Sequence, residues 1–238
     1  MTDDGDWVVF SRDEDRSVIT VNVALQYERL YSLNWFHIQI RFSPEQEALN
    51  GMPTQDAQVL CFEFEDDLET WLVPSGGRFA AKRTGQSARS IFLHGPHDLK
   101  PGIESISERH LKLDISVTSA QFSDVLALMP SKLEAALERD RRIIAILEQE
   151  GDDGHAPRKT LYWIYDVAPS DREDVDRRLK DLGFLLESHD GKSKCFARIA
   201  PVTLQSIEQD TRSLFELCEE FGCRYDGWET EVVRPKPN

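Results

Sequence analysis

The residues able to do chemistry are scattered rather than clustered. His94-Gly95-Pro96-His97 places two imidazoles in one short stretch, but no third or fourth ligand follows at a metal-binding spacing. Phe62-Glu63-Phe64-Glu65-Asp66-Asp67 is acid-rich, yet it lacks the alternating Asp/Asn ligands and central Gly of a calcium loop. No Gly-x-Ser-x-Gly elbow occurs, and no Cys stands beside a His in a nucleophile motif. Lys82-Arg83-Thr84-Gly85-Gln86 is basic and contains Gly, but a phosphate loop needs Gly-x-x-x-x-Gly-Lys-Ser/Thr, which is absent. With 43 acids in the chain, a pair of carboxylates says little by itself. The residues therefore nominate no catalytic group, no metal site and no cofactor.

Charge narrows the partners. Lys and Arg total 28 against 43 Asp and Glu, a net charge of −15. Residues 1–155 carry 15 basic and 27 acidic groups, and residues 156–238 carry 13 and 16, so the halves stand at −12 and −3. Phosphate backbones repel such a surface on average, so direct nucleic-acid binding is not expected. A basic protein partner is compatible with it. Apolar runs such as Ile143-Ile144-Ala145-Ile146-Leu147 are far shorter than the ~20 residues of a membrane span. Met1-Thr2-Asp3-Asp4-Gly5-Asp6 has neither the basic segment nor the apolar run of a signal peptide. Cys61, Cys195, Cys218 and Cys223 show no C-x-x-C spacing and read as reduced thiols filling core space. The expectation is a cytoplasmic protein.

The elements that would hold any site follow from periodicity. Val18–Val23 alternates, and Trp35–Phe42 alternates more clearly, with Phe36, Ile38, Ile40 and Phe42 on one face. Thr54 caps a helix over 55–72 with Ala57, Leu60, Cys61, Phe64, Leu68, Trp71 and Leu72 inward. Its acids Glu63, Glu65, Asp66 and Asp67 fall mainly on the solvated side. Strands follow at 79–84 and 89–94, then an irregular connection over 95–107. A half-buried strand alternates through Leu111, Leu113, Ile115 and Val117, and a short helical segment runs from Phe122 to Met129.

A second unit begins at Pro130, giving an N-terminal α+β domain of mostly antiparallel strands over 1–129 and a second domain over 130–238. Ser131-Lys132-Leu133-Glu134 is a capping box opening a helix that stops at Gly151. Strand 159–167 follows, then a second capping box, Ser170-Asp171-Arg172-Glu173, and a helix stopped by Gly183. Strands 184–187 and 194–202, a helix from Thr203 to Phe221 and a strand over 223–233 complete a β-α-β-β-α-β order, the ferredoxin-like arrangement. In its first strand Leu161, Trp163 and Tyr165 point one way and Tyr162 and Ile164 the other. Both faces are thus apolar, and the face opposite the helices needs a cover: the 131–150 helix, the first domain, or a partner.

Ferredoxin-like domains include RNA-recognition modules that stack bases on their first and third strands. Lys194-Cys195-Phe196-Ala197-Arg198-Ile199 partly echoes their third-strand pattern, with Cys195 and Arg198 in place of a Gly and an aromatic.

The stretch from Leu128 to Val233 resembles the family called regulator of ribonuclease E activity B. The resemblance rests on Pro130-Ser131-x-x-Glu134, Ile143–Leu147, Gly151-Asp152, Pro157-Arg158, Trp163, Leu182-Gly183-Phe184 and Tyr225-Asp226-Gly227-Trp228-Glu229. Tyr162 stands where that pattern has a His. The preceding portion, with Trp7, Val21-Asn22 and Gly51-Met52-Pro53, is similar to a family of uncharacterised domains. The resemblance implies a non-enzymatic regulator that binds an endoribonuclease and inhibits it. Its partner is then a protein, and Trp163, Tyr165, Tyr225, Asp226, Trp228 and Glu229 are the candidate interaction residues. In the last segment Gly227 permits a bulge while Tyr225 and Trp228 pack, or the aromatics and Asp226 form a contact surface. Two other readings stand beside this one: a small metal-dependent hydrolase or nuclease with its site in the first domain, and a direct RNA-binding module.

Overall fold

The computed structural model describes residues 6–12, 16–27, 33–48, 50–191 and 193–234. The chain divides into two compact units, Met1–Met129 and Pro130–Asn238. It is an α+β protein with one antiparallel sheet in each unit.

The first unit contains strands β1 (Trp7–Arg12), β2 (Ser17–Asn22), β3 (Asn34–Arg41), β4 (Arg78–Gly85), β5 (Ala88–Gly95) and β6 (Asp114–Ala120). Its helices are α1 (Gln55–Leu72), α2 (Lys100–Ser107) and α3 (Phe122–Leu126). The sheet order is β1-β2-β4-β5-β3-β6. The alternation in β3 turns Phe36, Ile38 and Ile40 into the core, where Phe42 joins them beneath Phe64, Leu68 and Leu72 of α1. Thr54 caps α1 by accepting from the Ala57 N–H.

Three expectations are corrected here. The segment 95–107 is not irregular, because it contains α2. Pro101 stands in the first turn of α2, where its missing N–H is harmless. Gly102 lets the Trp71 indole lie on the helix: an added Cβ would sit 2.0 Å from Cζ2. Glu65 is not solvated. It is buried and paired with Lys82 (2.6 Å) and with Arg89, two cations from adjacent strands. Leu111 does not enter a strand and is 90% exposed, because β6 starts only at Asp114.

In the second unit α4 (Lys132–Gln149) precedes β7 (Arg158–Tyr165), α5 (Arg172–Asp181), β8 (Leu185–His189), β9 (Ser193–Ala200), α6 (Leu204–Phe221) and β10 (Arg224–Thr230). The sheet order is β10-β7-β9-β8 with every neighbour antiparallel, which is the ferredoxin-like topology. The Ser131 capping box forms as its sequence dictates: Ser131 Oγ accepts from the Glu134 N–H at 3.1 Å, and Glu134 Oε2 accepts from the Ser131 N–H at 2.7 Å. The second box does not form. Asp171 is the cap residue with near-helical dihedrals, and Ser170 Oγ donates to the Asp171 carboxylate instead.

All three helices lie on one side of this sheet. Ile144 and Leu147 of α4, Val175 and Leu179 of α5, and Ile207, Leu214 and Leu217 of α6 meet Tyr162, Ile164 and Phe196 in a single core. Of the covers offered for the opposite face, the 131–150 helix is therefore ruled out, while the first domain and a partner remain. That face carries Leu161, Trp163 and Tyr165, all half-buried, and Ile199, which is 75% exposed. Charge crosses its border: Lys159 pairs with Glu187 at 2.6 Å, and the Arg224 guanidinium lies 4.9 Å from the Tyr165 ring centroid.

Candidate functional site

Strand β10 holds four of the six candidate interaction residues, and one irregularity decides where they point. The ladder to β7 pairs Tyr225 with Ile164 and Gly227 with Trp163, so the register slips by one residue between them. Gly227 adopts a φ of 136°, a conformation L side chains rarely enter. The extra residue places Tyr225 and Trp228, three apart in sequence, on the same face. Without the bulge the period of two would send them to opposite faces.

Both aromatics therefore join the helix-side core. The Trp228 Nε1–H donates to Asp140 Oδ1 of α4 at 2.7 Å, and Thr211 Oγ of α6 donates to Asp140 Oδ2 at 2.7 Å. Asp140 is 4% exposed, and burial pushes its carboxyl above the usual range while those two hydrogen bonds pull the other way. One carboxylate thus ties two helices to the edge strand. Tyr225 packs edge-on against Phe215 at 5.5 Å.

The remaining candidates stay accessible. Asp226 and Glu229 are exposed, and Asp226 accepts from Arg224 at 2.6 Å. Trp163 and Tyr165 lie half-buried on the face opposite the helices. A shallow cleft of about 210 Å³ follows the β10 edge, lined by Arg139 and Ile143 of α4, by Tyr225–Glu229 and by Trp163. Gly227, with open space where a Cβ would stand, leaves the middle of that cleft clear. The structure so brings together five of the six candidates, with Tyr165 outside the cleft. Arg139 and Ile143 were not among the candidate interaction residues. Their i, i+4 spacing on one face of α4 was the available signal.

The other resembling residues hold the frame. Asp152 Oδ1 accepts from the Gly154 N–H (3.0 Å) and from Arg158 (2.9 Å), while Oδ2 accepts from the Val233 N–H (2.8 Å). Burial opposes ionisation of Asp152, but the Val233, Arg158 and Gly154 donors outweigh it and hold the carboxyl below its ordinary value. Gly154 must be Gly, since at φ 69° an added Cβ would sit 2.4 Å from the Val202 carbonyl. Tyr162 donates to Asp210 at 2.7 Å, and Arg198 pairs with the same carboxylate. Burial, then Asp210, drive the Tyr162 phenol pKa far upward.

Two alternative chemistries meet specific geometry. Phe196, the aromatic of the third-strand echo, is buried on the helix side against the core. The opposite face of β9 offers Cys195, Ala197 and Ile199, so this strand supplies no ring for base stacking. In the first unit His94 is buried with its ring 4.7 Å from Trp35, while His97 is exposed. Among the described residues no three His, Cys, Asp or Glu side chains gather as a metal group.

Residues 137–230 match the family model described as RraB, regulator of ribonuclease activity B. That span begins inside α4 and ends with β10, so it includes Asp140, the β7 strand and every residue lining the cleft except Ala136. None of the curated proteins matches the chain. Among solved structures, an unknown protein from Galdieria sulphuraria is 14% identical, covering 82% of this chain and 96% of its own, with a TM-score of 0.23.

Proposed function

We propose that the protein is a non-catalytic regulator that binds an endoribonuclease directly and slows its cleavage of RNA in the cytoplasm. The observation that carries this reading is the match of residues 137–230 to the regulator of ribonuclease activity B. The β10 edge supplies a physical means. An aromatic anchor, Trp163, stands beside the exposed carboxylates Asp226 and Glu229 in a cleft kept open by Gly227. Buried aromatics rimmed by charge are the usual centres of binding energy, and the net charge of −15 steers a basic partner surface toward the protein. In this reading the first unit also acts without catalysis.

The test uses the full chain with the main endoribonuclease of its own organism. Expected results are slower RNA cleavage and direct binding tighter than about 10 μM, near −7 kcal/mol. Trp163→Ala and Glu229→Lys should each weaken binding by about tenfold or more. Absence of binding at that concentration, with cleavage unchanged, overturns the proposal.

A further inference from the structure

The C-terminus of α6 is closed by Gly222 in the left-handed conformation, φ 62°. The Cys223 N–H donates to the Cys218 carbonyl at 3.0 Å across that turn. This is the six-to-one bond of a Schellman ending, which frequently brings the side chains of the two bonded residues into contact. Here both side chains are thiols. Cys218 is buried in the helix-side core, and Cys223 packs against the same core while remaining partly open to solvent. The two thiols are close enough that each perturbs the other's ionisation. The other two cysteines are placed differently: Cys61 lies on α1 in the first unit, and Cys195 lies on the sheet face opposite the helices.

We propose that Cys218 and Cys223 are a redox modification site, a thiol pair that hydrogen peroxide converts reversibly into a disulfide at the root of β10. The Cys223 sulfur attacks one peroxide oxygen. The O–O bond breaks, one water leaves, and Cys223 becomes a sulfenic acid. The Cys218 sulfur then attacks the Cys223 sulfur. The S–O bond breaks, a second water leaves, and the S–S bond forms. Two electrons pass from the sulfur pair to the peroxide, and both thiol protons end in water. The order of events follows from the surroundings. Cys223 is partly open to solvent and can meet the peroxide, whereas Cys218 is 4% exposed and cannot. The accessible sulfur is thus the nucleophile and the buried one resolves it.

The sequence makes the readout direct. Residues 213–224 contain both cysteines and no internal Lys or Arg, so trypsin releases them in one peptide. The native full chain is exposed to hydrogen peroxide, quenched, unfolded, alkylated and digested. The expected product is that peptide lighter by about 2 Da with both sulfurs blocked to alkylation, and restored by a reductant. It should form at least about tenfold faster than oxidation of Cys61 or Cys195. In Cys218→Ser the Cys223 sulfenic acid should persist and be trapped by dimedone. The proposal is overturned if both sulfurs of the peptide stay alkylatable while another cysteine oxidises. It is equally overturned if Cys223 in the unsubstituted chain advances to sulfinic acid with no internal disulfide.

Discussion

Replacing Asp140 by Ala tests whether one buried carboxylate fastens the edge strand to the helices. The substitution removes the shared acceptor of the Trp228 indole N–H and the Thr211 hydroxyl, both at 2.7 Å and both buried. Each buried donor left without a partner costs about 1–3 kcal/mol. Relief of carboxylate desolvation offsets part of that, so the net loss should be about 2–4 kcal/mol. A single unfolding midpoint would mix two compact units, so the assay is amide exchange resolved to peptides from α4, α6 and β10. Their slowest protection should fall by about 30- to 1,000-fold, while the first unit is unchanged. Asp140→Asn retains one acceptor and should lose less. The pH arm has a definite sign. Burial raises the folded pKa above the ordinary 3.8, so the folded state holds the proton longer than the unfolded state. Asp140's contribution is therefore most favourable below 3.8 and is lost as pH rises through the folded value; Asp140→Asn should remove that slope. A change under about threefold in the Ala variant would refute the argument that this knot holds the unit together.

Asp152→Ala should destabilise the second unit by about 3–5 kcal/mol, because it strands a buried Arg158 as well as two backbone donors. The folded pKa of Asp152 lies below 3.8, so its contribution is present above that pH and is lost as pH falls through the folded value; acid unfolding of wild type against Asp152→Asn measures it. Gly227→Ala meets no atom within 4 Å, so its cost should be the backbone strain alone, about 1–3 kcal/mol at φ 136°. Denaturant unfolding that finds this variant as stable as wild type would remove the conformational argument for the bulge.

Where local spacing alone determined an element, the sequence was enough. Phe36, Ile38 and Ile40 declared the buried face of β3, Ser131 and Glu134 declared the start of α4, and Gly183 declared the end of α5. What stayed hidden depended on partners distant in the chain. Pro101 and Gly102 look like loop residues until the Trp71 indole is seen lying on Gly102. Glu65 looks solvated until Lys82 and Arg89 arrive from neighbouring strands. The candidate site shows the same division. Gly227 suggested a bulge, but only the register against β7 shows that Tyr225 and Trp228 turn inward together and leave Asp226 and Glu229 outside. The side of β9 on which Phe196 lies was likewise undecidable from a six-residue echo, since a shift of one residue reverses every side chain.

The residues that make the second unit recognisable and the residues that could choose a partner are therefore largely different. Asp152, Arg158 and Trp228 spend their polar atoms inside the unit, on the Val233 amide, on one another and on Asp140. A buried group whose hydrogen bonds are already made has none to offer across an interface. On the proposed function, partner choice falls to neighbours held in place by that frame: Trp163 opposite the Gly227 gap, and Asp226 and Glu229 at its rim. Replacing a frame residue should disturb binding only together with folding, whereas replacing Trp163 or Glu229 should weaken binding while exchange protection in α4 and α6 is kept. A Glu229 variant that binds normally, beside an Asp140 variant that folds but fails to bind, would reverse the division.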